Sequence, residues 1–230
     1  TDRFYNGDKS NDVETNEYYY IGGYSRKVTD WDKYPDAMGV REFYGGDLKG
    51  VMEKLDYLQD LGVEVLYFNP LFVSPSNHKY DIQDYDYIDP HYGVIVEDGG
   101  EVLAEGETKN RKATKYQKRV TDLKNLEASN QLFIELVEEL HRRGMKIILD
   151  GVFNHTGRDF FAFQDIKRNR ENSPYRDWYC NVNFWGNNEY NDGFSYDNWG
   201  GYNLLAKLNQ HNPAVRDYIC DVVRFWVREF

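Results

Sequence analysis

Met145-Lys146-Ile147-Ile148-Leu149-Asp150-Gly151-Val152-Phe153-Asn154-His155 runs from a short apolar segment directly into a carboxylate, a carboxamide and an imidazole. The apolar part has the length of a strand rather than of a helix. It follows Gly144 and an amphipathic stretch from about Leu126 to Arg143, whose stripe is Leu132, Phe133, Leu136, Val137 and Leu140. Helix, glycine, apolar strand and polar loop is the rhythm of a parallel α/β fold. Such folds place chemistry at the carboxyl ends of their strands. Asp150, Asn154 and His155 stand at that position, although a capped strand end with a satisfied histidine explains the same residues equally well.

The pattern recurs upstream. Leu48, Val51, Met52, Leu55, Leu58 and Leu61 share one face of a helix expected from about Asp47 to Leu61, with Asp47 as N-cap and Gly62 beyond its end. Val63-Glu64-Val65-Leu66-Tyr67-Phe68 then reads as a second strand, and both strands are expected to be buried on both faces. A third helix is expected from Asn212-Pro213, a cap followed by proline at the first helical position. Two long connections remain. Residues 70–125 include a charged stretch, 96–124, that reads as a solvated excursion. Residues 151–211 are rich in Asn, Gly, Tyr and Trp and are too long for a structureless loop.

Composition narrows the partners. The 230 residues carry a net charge of −11, which argues against nucleic acid, because that affinity rests on clustered Lys and Arg. No apolar run reaches the ~20 residues of a membrane-spanning helix. The two cysteines form no disulfide framework or zinc spacing, and no phosphate-binding glycine motif occurs. Aromatic residues make up 17% of the chain, which with many Asn and Asp suits stacking on a polar ligand with flat faces, such as a sugar.

Two further clusters stand out. Asn6-Gly7-Asp8-Lys9-Ser10-Asn11-Asp12 concentrates oxygen-bearing side chains, fitting either a hard cation or an Asn/Asp-rich turn. Asn77-His78-Lys79-Tyr80-Asp81-Ile82-Gln83-Asp84 follows the upstream strand to the same mouth. It reads as a stiffened polar loop or as a binding wall with Tyr80 as platform.

In order along the chain, Asp2–Asp8, Gly62–Phe72, His78–Asp84, the D-x-x-x-N-H motif of Asp150–His155, and Leu205-Ala206-Lys207-Leu208-Asn209 resemble segments of the α-amylase superfamily of glycoside hydrolases. The last is similar to the M-P-K-L-N signature of the neopullulanase, cyclomaltodextrinase and maltogenic amylase branch, with a different residue at its first two positions. The resemblance implies an α/β fold: part of a (β/α)8 TIM barrel over residues 1–155 and 212–230, with a B domain inserted after strand three at 156–211. It implies calcium held by Asn6, Asp8, Asn11, Asp12, Gly45 and Asp47. It implies Tyr80 stacking on a sugar, His155 donating a hydrogen bond to it, His78 at the pocket wall and Asp150 as a supporting acid that holds an Arg. The partner implied is an α-glucan or maltooligosaccharide. Members of the branch often dimerise, so a homodimer is an expectation for a longer parent, and either a secreted or a cytoplasmic parent fits.

Retaining hydrolysis needs a nucleophilic carboxylate and an acid/base carboxyl about 5 Å apart. The family carries its nucleophile in G-x-R-x-D, which does not occur in these residues. The expectation is therefore an inactive piece of a glycosidase, with none of the catalytic carboxylates. The competing expectation is a non-catalytic, amylase-like glucan-binding protein.

Overall fold

A computed structural model describes residues 1–36 and 39–229. Its central feature is the expected parallel pair. Val65–Phe68 runs alongside Lys146–Leu149 in continuous register, Val65 opposite Lys146 and Phe68 opposite Leu149. Each strand follows a helix that ends in a glycine with positive φ, Gly62 (+86°) and Gly144 (+74°), a conformation that costs residues with a Cβ atom.

The helices form where their stripes and caps place them. The first is broken into Leu48–Glu53 and Leu55–Asp60, with Lys54 between them, instead of running unbroken to Leu61. Asp47 caps it by accepting from Gly50 N at 2.6 Å. The second starts earlier than its apolar stripe indicates, at Leu123, because Asp122 caps it through Lys124 N at 3.0 Å. The third spans Pro213–Glu229, and Asn212 accepts from Ala214 N at 2.9 Å. Trp226 locks this helix to the sheet side by donating from Nε1 to Tyr85 O at 2.7 Å.

The long connections carry structure of their own. Phe72–Val73 and Asp84–Ile88 form an antiparallel hairpin around the His78–Tyr80 turn. His155–Thr156, Tyr202–Lys207 and Asn198–Trp199 make a three-stranded antiparallel sheet, beside the helix Phe161–Asn169. Residues 156–211 thus fold back, so that Ala206 and Lys207 pair with Thr156 and His155 beside the third-helix entry.

Two expectations are corrected. The parallel strands are not buried on both faces. Tyr67 is 60% exposed, and Val65 and Ile148 are also exposed, because no described element covers that face. The described residues accordingly form no closed barrel.

The stretch 96–124 is not a solvated excursion. It contains the helix Thr114–Thr121, and Leu103, Ala113, Tyr116 and Val120 join Val13, Tyr18, Tyr20 and Phe43 in a second apolar core. Charge hid this core from hydropathy, because Arg119 is buried within it. Its guanidinium bonds Glu17 Oε2 at 3.0 Å, both oxygens of Asp98 at 2.9 Å and Asp12 O at 2.9 Å. A buried carboxylate stripped of its cation is strongly destabilising. Arg119→Met is therefore expected to cost about 3–5 kcal/mol in urea unfolding. Lys124→Met, at an exposed pair with Glu97, is expected to leave the urea midpoint nearly unchanged. Equal small effects would remove Arg119 from the core's energetics.

Candidate functional site

The mouth of the parallel pair opens into a cavity of about 750 Å³ that brings Tyr80, His78, Asp150 and His155 together. Residues far apart in sequence meet here because the hairpin turn, the end of the Lys146–Leu149 strand and the three-stranded sheet converge. Asp150 lies one residue beyond its strand. Its Oδ2 accepts from Tyr80 Oη at 3.0 Å and Tyr67 Oη at 3.1 Å, and its Oδ1 from Val152 N at 3.2 Å. Val152, β-branched yet at φ +43°, is a backbone outlier next to it. Burial, then the hydrogen bond to Asp150, raise the Tyr80 phenol above its ordinary range, and for Tyr67 the bond to Asp150 leads. Both hydroxyls therefore remain protonated donors that hold the carboxylate in place. No Arg pairs with Asp150 among the described residues.

His155 is buried and uses both ring nitrogens. Nε2 lies 3.0 Å from Tyr80 O and Nδ1 lies 3.1 Å from Asn154 Nδ2. This pattern fits a neutral ring donating from Nε2 and accepting at Nδ1. Donation from His155 to a sugar requires it to release the Tyr80 carbonyl. His78 stacks on Tyr80 with ring centroids 6.0 Å apart, and its Nδ1 accepts from Tyr80 N at 3.1 Å. Sequence reading missed the opposite wall: Trp199 and Tyr202 stack at 6.3 Å and 20°, and Tyr190, Leu204 and Leu205 complete it. The Asn/Gly-rich context of Trp199 gave no periodicity from which its direction could be read. Tyr67 was legible only as a strand residue, since its aim at Asp150 depends on the strand's register with its partner.

The oxygen-rich loop is equally assembled. Asp47 accepts from Gly7 N, Asp8 N, Gly50 N and Asn11 Nδ2 at 3.1, 2.8, 2.6 and 3.3 Å, so its carboxylate pins residues 6–12 to the helix start. Asp12 accepts from Asn6 Nδ2 at 2.7 Å and pairs with Lys27 at 2.7 Å, while Asp8 accepts from Ser10. Gly45 has φ +79°, and a Cβ there would lie 2.3 Å from Asp12 Oδ1. The carboxamide oxygens of Asn6 and Asn11 are buried without a hydrogen-bond partner. A buried unpaired acceptor is costly, and two in one loop fit a cation. Among the described residues, no three His, Cys, Asp or Glu side chains form a metal cage, so any such site draws on amide and carbonyl oxygens.

The model of the α-amylase catalytic domain matches residues 1–112 and 118–229. The chain belongs to the α-amylase family. Neopullulanase 2 of Thermoactinomyces vulgaris is 39% identical over 99% of this chain and 31% of its own length. A cyclomaltodextrinase of Thermoanaerobacter pseudethanolicus is 35% identical over the same shares. Among solved structures, the type III pullulan hydrolase from Thermococcus kodakarensis superposes with a TM-score of 0.74 at 31% identity, covering 99% of this chain and 34% of that one. The family and these neighbours give the chain a (β/α)8-barrel fold, and the chain spans about a third of these relatives' length.

Burial holds both His78 and His155 below the ordinary histidine range, against the opposing pull of Asp81 on both rings. A depressed folded pKa means stability that is present above about pH 6.5 and is lost as pH falls through the folded midpoints. Ring-proton titration by NMR is expected to place both midpoints below about 6.5, with stability falling as pH drops from about 6.5 down to those midpoints. Midpoints at or above 6.5 would contradict the neutral pocket.

Proposed function

We propose that the chain supplies the first part of the catalytic barrel of a glycoside hydrolase acting on α-glucosidic bonds in starch-type glucans, maltooligosaccharides, cyclodextrins or pullulan. The observation that carries this reading is the convergence of Tyr80, His78, Asp150 and His155 at the mouth of the parallel pair in a chain of this family. Residues 1–155 and 212–230 then form the barrel segment, and 156–211 the inserted B domain whose sheet bears the Trp199–Tyr202 wall. The exposed face of Val65, Tyr67 and Ile148 is the barrel's inner surface, covered in a whole enzyme by further strands.

In this reading Tyr80 stacks on a pyranose ring, and Trp199 and Tyr202 bound the opposite side. Asp150, which accepts from two phenols and a backbone amide at the pocket floor, can engage a cation from the rest of the barrel. The nucleophile and the acid/base come from outside these residues, so the 230-residue polypeptide binds glucan without cleaving it. Calorimetry with maltoheptaose tests this. Tyr80→Ala is expected to weaken binding about tenfold, or ~1.4 kcal/mol. No reducing ends are expected to be released by the unaltered chain. Unchanged affinity in Tyr80→Ala, or turnover by the chain, overturns the assignment.

Calcium is the ion that the loop's chemistry fits. Asn6 and Asn11 offer the unpartnered oxygens, Asp8, Asp12 and the Gly45 carbonyl lie in the same loop assembly, and Asp47 fixes that loop to the helix. The bound ion supplies a structural tie between the first loop and the first helix. A ligand present at 100 times its Kd stabilises by about 2.7 kcal/mol if only the folded state binds it. Calcium is expected to raise the Tm of the unaltered chain, and Asn11→Ala is expected to abolish that rise. An identical calcium response in both proteins would place the ion elsewhere.

A further inference from the structure

Lys79, Asp89, His91, Glu17 and Arg119 form a continuous line of buried charges that no role assigned above uses. Lys79 Nζ lies 2.6 Å from Asp89 Oδ2 and donates to Ser74 O at 2.7 Å. Asp89 Oδ1 lies 2.8 Å from His91 Nδ1, and His91 Nε2 lies 2.8 Å from Glu17 Oε1. Glu17 Oε2 completes the line with Arg119 at 3.0 Å. No side chain in it is more than 4% exposed. The His91 ring stacks on Tyr116 at 14°.

Ionised carboxylates accept hydrogen bonds and donate none. A neutral imidazole has one N–H and would press its bare nitrogen against a carboxylate oxygen in the interior. Carboxylates at both ring nitrogens therefore require an imidazolium. The two ends of the line reach functional loops. Arg119 donates to the carbonyl of Asp12 in the oxygen-rich loop. Lys79 sits between His78 and Tyr80 with φ +62°, a left-handed conformation that costs a non-glycine residue and persists only where its surroundings hold it.

We propose that His91 is a positioning residue of the pocket: a permanently charged imidazolium that, through Asp89 and Lys79, holds the strained turn presenting His78 and Tyr80. The proposal deepens the glucan reading and takes its ligand from it. Removing the proton from His91 sets a bare nitrogen against Glu17 or Asp89 and breaks the line at its centre. Lys79 then loses the support that keeps its turn left-handed, and Tyr80 leaves its position over Asp150. The titratable groups around His91 are Glu17, Asp89 and Tyr116, with Lys79 and Arg119 one step beyond. Burial pulls its pKa down, but the Glu17 and Asp89 carboxylates outweigh it and hold the net shift upward.

The test follows His91 ring nitrogens and Tyr80 ring signals by NMR from about pH 5 to about pH 9, with maltoheptaose affinity measured alongside. In the unaltered chain, the imidazolium pattern is expected to persist beyond pH 7, with Tyr80 signals that do not follow pH. In Glu17→Gln, the His91 midpoint is expected to fall into the measured range. Tyr80 signals are then expected to move with that midpoint, and affinity to drop several-fold across it. A purely structural effect of the substitution would weaken binding equally at every pH. A neutral His91 in the unaltered chain at pH 7, or Tyr80 signals indifferent to His91 titration in the variant, overturns the proposal. If Glu17→Gln does not fold, Asp89→Asn is read the same way, and the unaltered chain's nitrogen signals decide the charge by themselves. If the unaltered chain binds no maltoheptaose, the glucan reading fails, while the Tyr80 signals still decide the role of His91.

Discussion

The charge line from Lys79 to Arg119 is the constraint on which the pocket's geometry depends. Cations and anions alternate along it, so that each carboxylate of the line faces two cations and none of its charges is isolated. Taking such groups out of water costs several kcal/mol per ion, and the cost is offset only when every member is paired. The line is therefore all-or-none in character. Its members come from Glu17 just after the 6–12 loop, the hairpin turn, the residues after the hairpin and the Thr114–Thr121 helix, and pairing fixes these four segments relative to one another. Apolar burial around Tyr18, Tyr116 and Val120 supplies mass to this second core, but it does not specify direction as paired charges do.

From that frame the site follows. Asp81 accepts from Ser74 at 3.2 Å and also from Ser76 and Tyr20, and Ser74 and Ser76 in turn accept from Lys79, which closes the turn. The turn then has little freedom, and Tyr80 reaches Asp150 across the mouth of the parallel strands. On the far side, the Tyr202–Lys207 strand pairs with His155–Thr156, so the aromatic wall is registered to the same strand end that delivers Asp150. Each wall of the cavity is thus set by a backbone register or a buried ion pair. A ligand entering it pays little to order the protein, and that is how a shallow stacking site gains affinity.

Sequence periodicity carried the helices because their burial is one-sided and regular, while the parallel pair was legible as short apolar runs, each following a helix and its glycine. Asp47, Gly62, Gly144 and Asn212-Pro213 were legible because caps and left-handed ends have narrow residue preferences. Tyr80, His155 and Asp150 could be placed through the motifs that contain them. The second core was not legible: its centre is Arg119, and a stretch such as Thr114–Thr121 looks solvated when each charge is scored alone. Pairing over a hundred residues of separation, as between Arg119 and Glu17, leaves no local trace. Trp199 and Tyr202 were missed for a related reason, since short strands in a Gly-rich segment lack a period to read.

The same logic separates the two loops that resemble each other in composition. Residues 6–12 and residues 74–81 are both polar, turn-rich and tied to buried carboxylates. In the second, the described hydrogen-bond acceptors meet protein donors, with Lys79 supplying the cation. In the first, Asn6 and Asn11 each keep a buried oxygen without a donor, while Lys27 pairs with Asp12 and Lys49 lies 3.9 Å from Asp8. The hairpin turn buries its own positive charge as Lys79, whereas the lysines paired at the first loop reach its carboxylates and leave the two carboxamide oxygens unpartnered. In the calcium reading proposed above, those two unpartnered oxygens are what distinguish the first loop from the hairpin turn. Arg119 joins the two through the Asp12 carbonyl, so an ion bound as proposed in the first loop would bear on the same line that reaches the Tyr80 turn.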